Sequence, residues 1–134
     1  MAPANLDLVR SILSGWERGD WSPREWVHPE IEYVIADGPA PGTWRGLTGM
    51  AESYGEWLSV WEDFRIEAEN YREIDDERVL VLTYYSGRAK TSQGELEKMR
   101  AKAATLFHVR DGKVTRLVGY WDREHALADL GLEG

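Results

Sequence analysis

The chain has 134 residues, 43% apolar and 30% charged, with a formal net charge of −8 and no cysteine. That size suits one domain with one real core, and the composition is that of a globular protein and not a disordered one. The negative field repels a phosphate backbone, no apolar run approaches the ~18–20 residues of a membrane span, and the missing thiols remove disulfides, thiolate nucleophiles and cysteine metal sites together.

Neither nucleic acid nor a membrane is therefore an expected partner. Met1 to Asn5 carries no basic region followed by an apolar one. With the absence of cysteine, this gives the expectation of a cytoplasmic location. Seven Trp and six Tyr are a large aromatic supply for so short a chain. Each ring can bury about 150–250 Å², so a few suffice for a core and others are available to line a cavity.

Leu6, Val9, Leu13 and Trp16 recur at spacings of three and four, which predicts a helix starting near Asn5 and ending at Gly19. Ser22-Pro23-Arg24-Glu25 reads as a capping box opening a second, short helix that Pro29 must end. Ile31, Tyr33 and Ile35 alternate with Glu32 and Val34 as a strand does, and the Asp37–Gly42 segment is a loop. Leu47, Met50, Tyr54, Trp57, Leu58 and Trp61 form the clearest helical stripe. Strand patterns follow through Phe64–Ile74, Val79–Tyr85, Met99–Val109 and Val114–Trp121, with a polar stretch from Gly87 to Gly94. The last two strands flank Asp111-Gly112, a strong hairpin signal. Asp122 is a candidate cap for a last short helix holding Ala126, Leu127 and Leu130. Three N-terminal helices, an interposed strand and four antiparallel strands predict an α+β class, a single domain over 1–134, and a strongly curved, mostly antiparallel sheet, cone-shaped, with helices packed on it.

The period of two sends Asp37 to the same side as Ile31, Tyr33 and Ile35. A carboxylate at the rim of an apolar pocket is a candidate general base; equally, Asp37-Gly38-Pro39 reads as an ordinary turn. Thr105, Phe107 and Val109 share one strand face, which turns His108 to the other and suits it to a surface or dimer interface. His28, His108 and His125 show no metal-ligand spacing, so no metal site is expected, and no phosphate-binding loop or nucleophile elbow is present. Trp44, after Pro41, is a candidate cover for the pocket mouth.

Several segments together resemble the nuclear transport factor 2-like superfamily, in its SnoaL-like branch. They are Trp16-Glu17-Arg18-Gly19-Asp20, His28-Pro29-Glu30-Ile31-Glu32-Tyr33, Trp44-Arg45-Gly46, Val109-Arg110-Asp111-Gly112-Lys113-Val114 and the Gly-Tyr-Trp-Asp at 119–122. The resemblance spans about residues 5–130 and implies a cavity for a small apolar molecule, no cofactor, and a homodimer through the convex sheet face. Asp37, nine residues before Gly46, has spacing similar to the general-base Asp of the ketosteroid isomerase branch. Tyr33, Tyr54, Thr105, Phe107 and Trp121 are the expected substrate-binding residues. The isomerase's helix-one Tyr falls at Ile12 and its second acid near Thr105, so steroid isomerisation is not implied. The epoxide hydrolase trio is absent too: its final-strand Asp falls at Gly119, and its Arg-x-Asp in the Thr83-Tyr84-Tyr85 region. Two functions are thus expected: an isomerase- or cyclase-type enzyme with Asp37 as base on a small apolar carbonyl compound, or a non-catalytic binding or accessory domain with the same cavity.

Overall fold

The computed structural model describes residues 3–20, 25–37, 41–59, 61–90 and 96–132. In chain order these form α1 (Pro3–Glu17), β1 (Val27–Ile35), β2 (Gly42–Arg45), α2 (Gly46–Ser59), β3 (Trp61–Glu73), β4 (Arg78–Lys90), β5 (Leu96–Arg110), β6 (Lys113–Tyr120) and α3 (Arg123–Asp129). One curved six-stranded sheet has the order β2-β1-β6-β5-β4-β3. From β3 to β6 the sheet is an antiparallel meander, whereas β1 joins β6 in parallel, with Tyr33 opposite Leu117 and Ile35 opposite Gly119.

The class is α+β, but the helices are not gathered at the N-terminus: α2 lies mid-chain and α3 at the C-terminal end. Of the short helix expected from Ser22, residues 21–24 lie outside the described residues. Glu25 and Trp26 form a turn and Val27 already begins β1. The sheet takes this segment, since the Val114 N–H donates to the Trp26 carbonyl at 2.6 Å and the residue before Pro29 favours extended backbone. The helical stripe expected to reach Trp61 stops at Ser59, and Trp61 opens β3; the side chains of Trp57, Leu58 and Trp61 lie outside the described residues. The segment expected to be loop from Asp37 to Gly42 yields its last residue to β2, which pairs Trp44 with Tyr33. β4 runs on through Lys90, and 91–95 lie outside the described residues.

Local chemistry explains the ends that matter. At the close of α1, Asp20 N–H donates to the Gly15 carbonyl at 2.9 Å and Gly19 N–H to the Trp16 carbonyl at 2.9 Å. This is a Schellman stop, with Gly19 at φ 83°. The β5–β6 hairpin turns on Asp111 and Gly112 at φ 52° and 74°, the two positive values that a tight hairpin demands. At the start of α3, Asp122 accepts from Glu124 N–H at 3.1 Å.

The two sheet faces have separate cores. The inner one joins Val9, Leu13 and Trp16 of α1 and Met50 of α2 to Ile31, Val81, Phe107 and Leu117. The outer one sets Ala126 and Leu127 of α3 on Leu80, Leu82, Leu106 and Val118. Burying one aliphatic side chain contributes about 1.5–3 kcal/mol, so α1, which buries Val9, Ile12 and Leu13, is firmly seated. His108 pairs across the sheet with Arg78 and Arg116. Burial pushes its imidazole pKa down, and Arg116 and Arg78 push it further.

Candidate functional site

Between the helices and the inner sheet face lies an open-mouthed hollow of about 630 Å³, including its mouth. Its walls include Trp16 from α1, Tyr33 and Ile35 from β1, Tyr54 from α2, Phe64 and Ile66 from β3, Tyr85 from β4, Thr105 from β5, and Leu117 and Gly119 from β6. Asp37 and Trp121 stand just beyond the ends of β1 and β6 and also line it. The aromatic walls brace one another, two pairs edge to face and one tilted. Tyr33 meets Tyr54 at 5.2 Å and 80°, Phe64 meets Tyr85 at 5.5 Å and 63°, and Tyr85 meets Trp121 at 5.6 Å and 57°. Such ring pairs favour a fixed shape beyond the area they bury.

Three tyrosine hydroxyls give this apolar hollow its polar character. Burial pushes the Tyr33 hydroxyl pKa well up, and Tyr85 adds to the effect. Tyr54 is raised by burial and then by Tyr33 and Tyr85, while Tyr85 is raised by burial against an opposing hydrogen bond with Thr105. All three stay protonated at neutral pH and keep an O–H to donate.

Asp37 is the one carboxylate lining the hollow among the described residues. Its Oδ1 accepts from Trp121 N–H at 2.5 Å and from Asp122 N–H at 3.4 Å. Its Oδ2 lies 2.6 Å from His125 Nδ1. The parallel register that sets Ile35 opposite Gly119 carries position 37 to the start of α3, which is why residues 84 to 88 apart in sequence meet. On its other side His125 Nε2 lies 3.4 Å from Asp129 Oδ2. The Asp37 hydrogen bond raises the His125 pKa most, with Asp129 and Asp122 adding to it.

The structure brings five of the six expected site residues together: Asp37, Tyr33, Tyr54, Thr105 and Trp121 line the hollow. It does not bring in Phe107, which is fully buried behind the wall with its ring stacked on Trp16 at 5.7 Å. Trp44 is not among the lining residues either; its ring packs against Tyr33 at 6.1 Å. Trp16, Phe64 and Leu117 are also walls, and His125 is the partner of Asp37, roles that no pattern in the sequence marks. Nothing local marks that pairing, because it needs the β1–β6 register. Among the described residues no group of His, Asp and Glu could hold a metal ion.

A SnoaL-like domain model matches residues 9–117. The chain belongs to the SnoaL-like domain family. No curated protein matches it. Solved structures agree on the fold. A nuclear transport factor 2-like protein of unknown function from Burkholderia pseudomallei K96243 is 16% identical, with a TM-score of 0.72 over 92% of this chain and 95% of that one. A candidate SnoaL-like polyketide cyclase from Jannaschia sp. CCS1 is 16% identical, at 0.69 over 97% and 93%. A protein of ketosteroid isomerase-like fold from Catenulispora acidiphila, crystallised with trimethylamine, is 16% identical, at 0.69 over 95% and 94%. At such identities the likeness speaks for the fold of this SnoaL-like domain and not for its chemistry.

Proposed function

We propose that this SnoaL-like domain binds a small, largely apolar carbonyl compound and moves a proton at the carbon beside the carbonyl, as isomerases and cyclases do. The observation that carries this reading is the Asp37 carboxylate at the rim of an aromatic hollow that also holds three protonated tyrosines. Asp37 takes the carbon-bound proton. The electron pair moves onto the carbonyl oxygen as an enolate. Hydroxyls of Tyr33, Tyr54 and Tyr85 donate to that oxygen as its charge grows, and the carboxylic acid returns the proton to the product. Thr105 acts through Tyr85, to which it is hydrogen-bonded, and Trp121 stacks on a flat substrate. The likeness to a candidate polyketide cyclase is in keeping with a substrate of this type.

A non-catalytic binding domain is the second reading. It is favoured by the backbone bonds to Asp37 Oδ1, which tie the end of β1 to the start of α3 as a purely structural carboxylate does.

A nitro-substituted benzisoxazole separates the two. This flat apolar probe opens to a coloured cyanophenolate when a base removes its one reactive carbon-bound proton and its N–O bond breaks. The wild type is expected to open it faster than free acetate at the same pH, and Asp37→Asn to lose roughly 100- to 10,000-fold of that rate. Equal rates for wild type and Asp37→Asn would rule out the general base and leave the binding domain.

A further inference from the structure

Resting on the general-base reading, we infer that His125 is the positioning residue for Asp37: held between two carboxylates, its ring fixes Asp37 Oδ2 and so aims the remaining acceptor site of that carboxylate at the hollow.

A carboxylate offers about four acceptor sites. The Trp121 and Asp122 N–H groups engage Oδ1 of Asp37 at 2.5 and 3.4 Å, and His125 Nδ1 engages Oδ2 at 2.6 Å. The capacity left over belongs to a side chain that lines the hollow, where a substrate proton arrives. Without His125, Oδ2 loses the hydrogen bond that holds it, and the carboxyl group is free to turn while Oδ1 stays bound to the Trp121 and Asp122 N–H groups.

The ring is itself gripped. Carboxylates face both of its nitrogens, an arrangement that favours the protonated ring. Asp37 lies at 2.6 Å from Nδ1 and Asp129 at 3.4 Å from Nε2. The raised pKa of His125 agrees with this placement. Asp129 is in turn held by the Tyr120 hydroxyl, which donates to its Oδ2 at 3.1 Å. The Tyr120 ring stands edge-on to the imidazole at 5.2 Å and 86°. Burial, followed by the bond to Asp129, pushes the Tyr120 hydroxyl pKa up to about 12, so it remains a donor.

Packing does not require a histidine here. Helix α3 is seated by Ala126 and Leu127, while the His125 side chain is 39% exposed and is absent from the walls of the hollow. Its contacts serve Asp37 more than the core.

The test joins NMR titration of the His125 ring to turnover of the benzisoxazole probe. In the wild type the ring is expected to titrate above the ordinary ~6.5, and in Asp37→Asn to fall back towards it. His125→Ala is expected to lower kcat about tenfold with KM unchanged, since the walls are untouched. His125→Asn places an amide N–H where Nδ1–H stood, and it is expected to recover most of kcat. A merely structural role would change the folded fraction and would not part Asn from Ala at equal stability. If Asp37→Asn is inactive but His125→Ala matches the wild type, the positioning role is wrong while the general base stands. If Asp37→Asn leaves the His125 titration unmoved, the pair does not exist in solution and the inference falls. If the wild type shows no turnover that depends on Asp37, the general base fails and takes this role with it.

Discussion

Phe107→Ala is expected to destabilise the protein by about 3–5 kcal/mol, the range for deleting a buried aromatic ring. Phe107 is fully buried and heads the largest enclosed side chains. Its ring lies 29° from parallel to Trp16 at 5.7 Å. It therefore joins β5 to α1 at the centre of the inner core. Deletion removes both the transfer free energy of the ring and the contacts of the residues left facing a void. Trp16 is also a wall of the hollow, so losing its backing should loosen that wall and weaken ligand binding as well. Urea unfolding checks this. A change below about 1 kcal/mol would mean that Phe107 faces open cavity space, as a direct ligand contact would.

Arg123→Met is expected to cost about 2–3 kcal/mol, the scale of leaving enclosed polar groups without a charged partner. The Arg123 side chain is only 11% exposed. Its Nε donates to the Ala103 carbonyl at 3.2 Å, one terminal nitrogen to the Thr83 carbonyl at 2.8 Å and the other to Glu69 at 2.7 Å. The guanidinium also lies 5.1 Å from the centre of the Tyr84 ring. One planar fork thus ties the first residue of α3 to β3, β4 and β5. Glu69 is 38% exposed, so solvent screens its share of the loss. Met keeps the apolar stem, which confines the effect to the lost bonds. A lysine cannot reproduce three divergent donors from a planar head, so Arg123→Lys should recover little. Full recovery by Lys in a thermal melt would show that charge alone matters.

The side that each residue takes was legible in the sequence more than its depth. Alternation along Ile31, Tyr33 and Ile35 carried Asp37 to the hollow, since strand parity is a local property. The same reasoning put Phe107 on the inner face beside Thr105. It could not separate wall from core, because both lie on that face and the distinction rests on where Trp16 of α1 packs. The Asp111-Gly112 turn and the Gly19 stop were legible because positive φ has a chemical signature. Strand β2 was not. Gly42–Arg45 has no pattern of its own, and the strand exists because β1 offers it an edge. A Cβ at Gly42 would come within 2.9 Å of the Trp44 ring, so a larger residue there would have to displace that ring. The capping box at Ser22 lies outside the described residues, but the helix expected to run on to Pro29 has given way to strand by Val27, where the chain pairs with β6. His125 read only as a residue of the last helix, because its partner arrives through a parallel pairing that a single sequence does not reveal.

A ligand seated in the hollow has to contend with whatever stands at Gly119. Gly119 lines the hollow opposite Ile35 and Thr105. A Cβ there would meet the Val34 carbonyl oxygen at 3.9 Å and the Tyr85 hydroxyl at 4.0 Å, ordinary contacts. Gly119→Val therefore puts methyl groups into the ligand space at little cost to the backbone, and a β-branched residue suits a strand. Calorimetric titration with β-tetralone, a flat and mostly apolar ketone, is the measurement. The wild type is expected to bind it, and Gly119→Val of unchanged stability to bind at least about tenfold more weakly, ~1.4 kcal/mol. Equal affinity for the two proteins would place the ligand elsewhere and contradict binding in the hollow.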